Sequence, residues 1–331
     1  MKAVEYKHYG SVDVLEINDI PRPVPGPNEI LVKVGAATVT AVDVAFRKGT
    51  PWIARLYTGL LKPKTKVLGA ELAGTVQEVG HDVSRFQIGD RILAATKSGM
   101  GAHAEYVVLP EDGAQITLPN QISDTQAVAI SAGGLTALPF LRDHAKLLPG
   151  QSILINGASG AVGIAAVQLA KHIGANVTAV SSGQNQPFVA TNGADATIDY
   201  RQEDFTKSGK TFDVVFDVSG KSSFRAARRV LKPKGIFLAT NISIGTLFAM
   251  LVTSLFQGKK AVFAATGLRP PADQTRDLER LLAMTMAAQY RPIIDRSYPL
   301  GHIADAHNHA ETGHKKGNVV VTFSDTSSVD P

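Results

Sequence analysis

The chain has 331 residues, 34 Lys plus Arg against 29 Asp plus Glu, and no cysteine. That length exceeds what one hydrophobic core usually serves, so two domains are expected; 44% hydrophobic and 19% charged residues exclude a mainly disordered chain. Without cysteine there is no disulfide, thiol nucleophile, iron–sulfur cluster or thiolate-bound zinc. The net charge of +5 favours an anionic ligand or surface. The basic runs (Lys62, Lys64 and Lys66; Lys232 and Lys234; Lys259 and Lys260; Lys315 and Lys316) carry no interleaved aromatics, so no nucleic-acid partner is expected. No apolar signal core follows Met1, and a cytoplasmic protein is expected.

Residues 1–120 read as β-rich. Ile30–Val34, Ala73–Val79 and Arg91–Ala95 are short strands set apart by turn signals such as Gly80-His81-Asp82 and Gly89-Asp90. The spacing suggests an antiparallel, barrel-like domain. Ser123–Leu148 favours helix, with a start at Ser123-Asp124-Thr125-Gln126 and a stop at Pro149-Gly150. Alternation follows: strand Ser152–Asn156, helix Ala161–Ile173, strand Asn176–Val180, helix Gln186–Asn192, strands Thr197–Tyr200 and Asp213–Val218, helix Ser222–Leu231, strands Ile236–Thr240 and Ala261–Thr266. This order predicts a doubly wound parallel sheet. Helix Asp273–Tyr290, helix Ile303–Glu311 and strand Asn318–Phe323 are too short for a third domain and are expected to rejoin the first. The fold class is therefore α/β, with domains 1–122 completed by 268–323, then 123–267, and a loose tail over 324–331.

The most informative segment is Ser152-Ile153-Leu154-Ile155-Asn156-Gly157-Ala158-Ser159-Gly160-Ala161-Val162-Gly163. An apolar strand enters a glycine-rich turn that opens a helix. Gly157 allows the tight turn, Gly160 lets backbone approach a diphosphate, and Gly163 permits close helix packing. No acid lies between Asp143 and Asp195, which spares a bound diphosphate from repulsion. Where an NAD site usually carries an acid for the ribose 2′-OH, this chain has Ser181, Ser182, Gly183, Gln184 and Asn185. That favours NADP(H) over NAD(H), with Tyr200 and Arg201 available to a 2′-phosphate, although no Lys or Arg stands in the loop itself.

These pieces, with Gln168-Leu169-Ala170-Lys171, Gly193-Ala194-Asp195, Val42-Asp43, Gly69-Ala70-Glu71, Gly89-Asp90-Arg91, Ala104-Glu105-Tyr106, Gly134-Leu135-Thr136-Ala137, Asp217-Val218-Ser219-Gly220 and Gly317-Asn318-Val319-Val320, resemble the medium-chain dehydrogenase/reductase superfamily, in its zinc-free quinone oxidoreductase branch. The resemblance covers about residues 1–323 and implies a GroES-like catalytic domain beside a Rossmann domain. Zinc relatives place Cys and His where Thr40 and Ala70 stand, so the resemblance implies no metal and hydride transfer from NADPH to a quinone or an α,β-unsaturated carbonyl.

The same resemblance puts Thr40 and Asp43 beside the nicotinamide, Trp52 and Tyr57 in the segment flanking the substrate cleft, and Thr136, Phe263, Ala264 and Asn318 near the cofactor. Ser159, Ala161, Val162, Ser219 and Asn241 complete the cofactor candidates. The substrate is expected between the domains. Alternatives are an alcohol dehydrogenase-like or enoyl-thioester reductase activity, and a non-catalytic NADP(H)-binding sensor or RNA-associated protein.

His302, His307, His309 and His314 show no ligand spacing and read as surface residues. The apolar run between Asn241 and Gln257 has fifteen residues, fewer than the about 20 of a membrane span. It reads as a buried helix, a homodimer interface or a membrane-surface segment, the last prompted by Lys259 and Lys260.

Overall fold

The computed structural model describes residues 1–96 and 100–323, apart from the side chain of Ile53. The expected tail, 324–331, lies outside the described residues. The chain divides into two compact units: Met1–Ala132 with Arg269–Ala283 and residues from Ile294 onward, and Gly133–Leu268 with Met284–Ile293.

The first unit is built on a seven-stranded sheet. Its longest strand, Glu29–Val39, exceeds the expected Ile30–Val34 because it serves three partners. Tyr106–Pro110 pairs with its first half, Asn318–Thr322 with its second, and Glu71–Val79 along most of its length, all antiparallel. Arg91–Ala95 and Ala114–Thr117 extend the sheet on one side, and Ile294–Pro299 on the other, parallel to Asn318–Thr322. Ile30, Val32, Val34, Leu72, Val76 and Ile92 form its core on one face. Helix Ile303–Glu311 packs Ile303, Ala306 and Ala310 against Val319 and Val321.

The second unit holds six parallel strands in the spatial order Ala196–Asp199, Asn176–Ser181, Ser152–Asn156, Phe212–Asp217, Leu231–Ala239, Lys260–Phe263. Numbered along the chain this is 3-2-1-4-5-6, the doubly wound order, with its switch point beside Ser152–Asn156. Helix Ala161–Ile173 begins and ends where the sequence predicts, closed by Gly174 in the left-handed region at φ 91°.

Four expectations are corrected. The predicted helix Ser222–Leu231 is one turn, Phe224–Ala227, because Leu231 is already paired with Phe212 and Lys232–Gly235 bulges from the register. The predicted helix Ser123–Leu148 is α-helical only over Asp124–Pro139 and widens to a π turn at Phe140–His144. His307 is fully buried rather than on the surface. The apolar run is not a buried helix: Ile244–Ser254 turns most of its large side chains to solvent. Among the described residues no helix is long and apolar enough to cross a membrane.

Candidate functional site

At the switch point, strand Ser152–Asn156 runs into Gly157, whose φ of 86° favours glycine. A Cβ on Gly163 would lie 2.1 Å from the Gly157 carbonyl oxygen and 2.7 Å from Ala158 Cα. Gly163 therefore packs the helix on the turn itself, rather than on the strand. Gly133, on helix Asp124–Pro139, makes a second close approach that sequence reasoning missed: its Cβ would meet the Ala161 carbonyl oxygen at 2.2 Å. Gly160 differs. It is the helix N-cap, in extended backbone, and a Cβ there would meet nothing nearer than 3.8 Å. No side chain caps this helix, so the N–H groups of its first turn, at Ala161, Val162 and Gly163, have no side-chain acceptor, the arrangement with which a helix start can receive an anion.

Side chains brace this turn from below. Asn156 Nδ2 donates to Asp217 Oδ1 and Ser219 Oγ, both at 2.9 Å, and Ser219 Oγ donates to Asp217 Oδ1. Asp217, 1% exposed, also accepts from Ser222 N–H. The ends of the two central strands are thus locked together, with Ser219 against Gly157. Asn185 Nδ2 donates to Ser159 Oγ at 3.1 Å, joining the turn to the second-strand loop.

The C-terminal ends of the strands are in register, Val180 with Asn156, Asn156 with Asp217, Asp217 with Ala239 and Ala239 with Phe263. This brings Gly157, Ser181, Ser182, Gln184, Ser219, Asn241, Phe263 and Ala264 to one edge of the sheet. Ser181 and Ser182 are buried, and Asn241 lies against Gly220. Thr136 joins the same unit through Thr266, Oγ1 to Oγ1 at 3.4 Å. Tyr200 is 49% exposed, its N–H donates to Ser181 O, and Arg201 Cζ lies 5.8 Å from its ring centre. Asp199 is the residue that the acid-free stretch hid. Pairing of the third strand with the second sets its carboxylate beside Gly183, where a Cβ would be 2.7 Å from Oδ2. Arg201 N–H and Gln202 Nε2 hold it there.

In the first unit, Thr40 and Asp43 meet each other. Thr40 is the N-cap of helix Ala41–Lys48 and forms a capping box with Asp43. Asp43 is fully buried; Oδ2 accepts from Thr40 N–H and Oγ1–H, at 2.8 and 2.6 Å, and Oδ1 accepts from Gly69 N–H at 2.9 Å. Asn318 is buried and donates to Ala129 O at 3.2 Å. Trp52 is 67% exposed, and Tyr57 is partly exposed with its ring 6.0 Å from Phe46. Nothing in the structure bonds Trp52 or Tyr57 to the Thr40–Asp43 pair.

Further polar groups surround that pair, and sequence reasoning missed them. Glu71 accepts from Thr38 Oγ1 at 2.5 Å, and burial, with the Asp43 charge adding to it, pushes its carboxyl up to about 7. Burial also lowers the Lys315 ammonium, against the pull of Asp43, Asp295 and Glu71. Arg47, fully buried, donates from Nη2 to Glu311. His103 Nε2 lies 2.8 Å from Thr38 O, and its ring meets His307 edge-on with centres 5.8 Å apart. Burial, with His103 and Arg47 nearby, holds His307 down at about 2, so this imidazole is neutral.

Zinc does not fit these residues. Ala70 has no donor atom, the Thr40 hydroxyl is committed to Asp43, and cysteine is absent. Among the described residues no group of three or more His, Cys, Asp or Glu side chains could hold a metal ion.

Residues 26–120 match the family described as "Alcohol dehydrogenase GroES-like domain", and residues 192–321 match "Zinc-binding dehydrogenase". A quinone oxidoreductase of Pseudomonas aeruginosa is 30% identical over 97% of this chain and 99% of its own. The solved quinone oxidoreductase of Coxiella burnetii superposes with a TM-score of 0.88 at 29% identity, over 98% of this chain and 99% of that one. The Escherichia coli quinone oxidoreductase, solved with NADPH, shares the fold with a TM-score of 0.85 at 24% identity, over 98% of this chain and 100% of that one.

Proposed function

The chain belongs to the medium-chain dehydrogenase/reductase superfamily, in its quinone oxidoreductase branch, and from that premise we propose that it reduces quinones or α,β-unsaturated carbonyls with NADPH, without zinc. It is an oxidoreductase that uses a pyridine nucleotide, and the observation that carries this is the Gly157–Gly163 turn. Gly160 leaves its Cβ direction open while Gly157 and Gly163 have theirs filled by protein. A diphosphate therefore meets backbone N–H groups at a helix start, with no side chain between.

When bound, NADPH supplies the hydride, and the acceptor's own conjugation takes up the charge that arrives. The protein's share is orientation and a dry environment. The Gly160–Gly163 backbone holds the diphosphate; Ser181, Ser182, Gln184 and Tyr200 hold the adenosine end, with Arg201 as the cation for a 2′-phosphate. Ser219, Asn241, Phe263, Ala264 and Thr136 serve the remainder of the cofactor in the same unit. Thr40, Asp43, Trp52, Tyr57 and Asn318 serve from the GroES-like unit. Asp43 acts there as a positioning residue, since its oxygens are filled by Thr40 and Gly69. Glu71, whose carboxyl burial pushes up to about 7, adds a titratable group close to Asp43.

Two measurements test this reading. NADPH oxidation across a panel of quinones and enones should proceed and should survive a strong chelator; activity restored only by zinc would overturn the metal-free mechanism. Titration should show tighter binding of NADPH than NADH, and NADPH binding without turnover of any acceptor would leave the non-catalytic sensor as the better reading.

A further inference from the structure

In the GroES-like unit, the segment between helix Ala41–Lys48 and strand Glu71–Val79 holds apolar side chains in water on a braced loop. Lys64 N–H donates to Thr58 O at 2.8 Å and closes a loop whose tip is Leu60-Leu61-Lys62. Tyr9 Oη lies 2.8 Å from Thr58 Oγ1 and donates to Gly59 O at 2.5 Å. Gly59, at φ 127°, packs against the Lys62 carbonyl oxygen, which a Cβ would meet at 2.1 Å. Thr58 and Pro63, on either side of the tip, are buried. On that base Leu60 is 57% exposed and Leu61 93%, with Leu56 at 57% just before them. A single exposed leucine is ordinary, but three within one short braced segment mark a contact surface.

Charge identifies the partner. From Val44 to Ala70 there is no Asp or Glu, while Arg47, Lys48, Arg55, Lys62, Lys64 and Lys66 all occur. The first three are spent within the fold. Arg47 and Lys48 pair with Glu311. Arg55 Nε donates to Gly49 O at 3.0 Å, with Cζ 4.7 Å from the centre of the Tyr9 ring. Lys62, Lys64 and Lys66 are exposed, and none has a carboxylate partner among the described residues. The leucine tip therefore runs directly into three unpaired ammonium groups at alternate positions.

We infer that this loop seats the GroES-like unit on an anionic lipid surface. Leu60 and Leu61 enter the headgroup–acyl boundary, and Lys62, Lys64 and Lys66 meet lipid phosphates and carboxylates around the point of entry. A folded protein partner, a second copy included, needs about 800 Å² from each side, and a tip of two leucines supplies little of that, whereas lipid closes around a narrow tip. Nucleic acid would match the charge and leave the leucines in water. The segment leaves from Gly49, at the end of the helix that Thr40 caps, and returns to Gly69, whose N–H donates to Asp43. The membrane contact is thus built on the connection that also holds the Thr40–Asp43 pair, and it does not depend on the catalytic reading.

The test uses the full chain in vesicle flotation, comparing pure phosphatidylcholine with vesicles holding about 30% phosphatidylserine. Binding is expected to the anionic vesicles, weakened by salt. The chain's one tryptophan, Trp52, lies exposed in the same segment, so its emission should move to shorter wavelength on binding. Leu60→Ser with Leu61→Ser, both in solvent-exposed positions, should cut binding by roughly tenfold or more while the melting temperature stays unchanged. Lys62→Glu with Lys64→Glu should weaken it separately, by roughly tenfold. Wild-type protein that ignores anionic vesicles, binding that leaves Trp52 emission unmoved, or either double variant binding as wild type does would overturn the inference. So would sedimentation velocity showing a dimer that the serine variants split, or single-stranded DNA binding that depends on the lysines and not on the leucines. No nucleotide or acceptor enters these measurements, so their failure is distinct from failure of the catalytic reading.

Discussion

At the Gly157–Gly163 turn the groups proposed to bind are backbone N–H, and side chains contribute by being absent or by bracing from beneath. Around Asp43 in the GroES-like unit the polar groups brought together are side chains, and backbone N–H groups are part of what they hold. The two regions fail differently under mutation. A turn made of backbone tolerates nothing where its atoms touch and tolerates folding, though not binding, where it faces outward. A buried side-chain cluster instead answers to charge and pH.

The largest effect separates two glycines of the same turn. Gly163→Val forces a side chain into the Gly157 carbonyl and should cost about 3 kcal/mol or more in stability, read as a fall in thermal midpoint. Gly160→Val should leave that midpoint alone and weaken NADPH binding by about tenfold or more, measured by fluorescence titration. Equal midpoints for the two variants would break the distinction.

Asp43→Ala comes next. It leaves the Thr40 and Gly69 donors without their acceptor in a fully buried place, and about 3 kcal/mol of stability should be lost. Urea unfolding measures this, and Asp43→Asn should recover part of it.

The third effect is a pH window. His307 takes no proton in the folded chain until about pH 2, whereas an unfolded histidine titrates near 6.5. The unfolded state therefore binds the extra proton as pH falls below 6.5, and stability declines in that direction, by about 2 kcal/mol at pH 5. His307→Leu should flatten the acid limb. Glu71 has the opposite sign. Its folded value is raised to about 7 from 4.5, so its favourable contribution is full below 4.5 and disappears as pH rises through 7. Glu71→Gln should therefore gain stability relative to wild type at pH 8.

The smallest effect returns to the nucleotide end. Asp199→Asn removes a charge beside Gly183 and should shift the NADPH-to-NADH affinity ratio upward by roughly threefold to tenfold; Arg201→Ala should shift it downward. Unchanged ratios in both would remove this loop from cofactor choice.

What could be read from the sequence follows from the same contrast. The turn is local: Gly157, Gly160 and Gly163 carry their reasons within a few residues, and the strand–helix alternation around them reports a parallel sheet directly. Asp199 beside Gly183, Thr38 with Glu71, and His103 with His307 join residues far apart in the chain, and no spacing rule anticipates them. The helix Ile244–Ser254 shows a third limit. Hydropathy reports what a side chain prefers, and a buried helix looks the same in sequence as one whose apolar side has no partner within its own fold. The small stripe of Thr246, Ala249 and Thr253 is the signal that identifies its inner face.

The pairing of Glu29–Val39 with Asn318–Thr322 has a consequence for synthesis. All six strands of the parallel sheet leave the ribosome before Asn318–Thr322, the last-made of that early strand's three partners, exists. The nucleotide unit can therefore close its sheet first, while the earlier-made β-rich segment waits with an open edge. The sheet begun first is thus completed last, and chaperone demand should fall on the part of the chain that is made first.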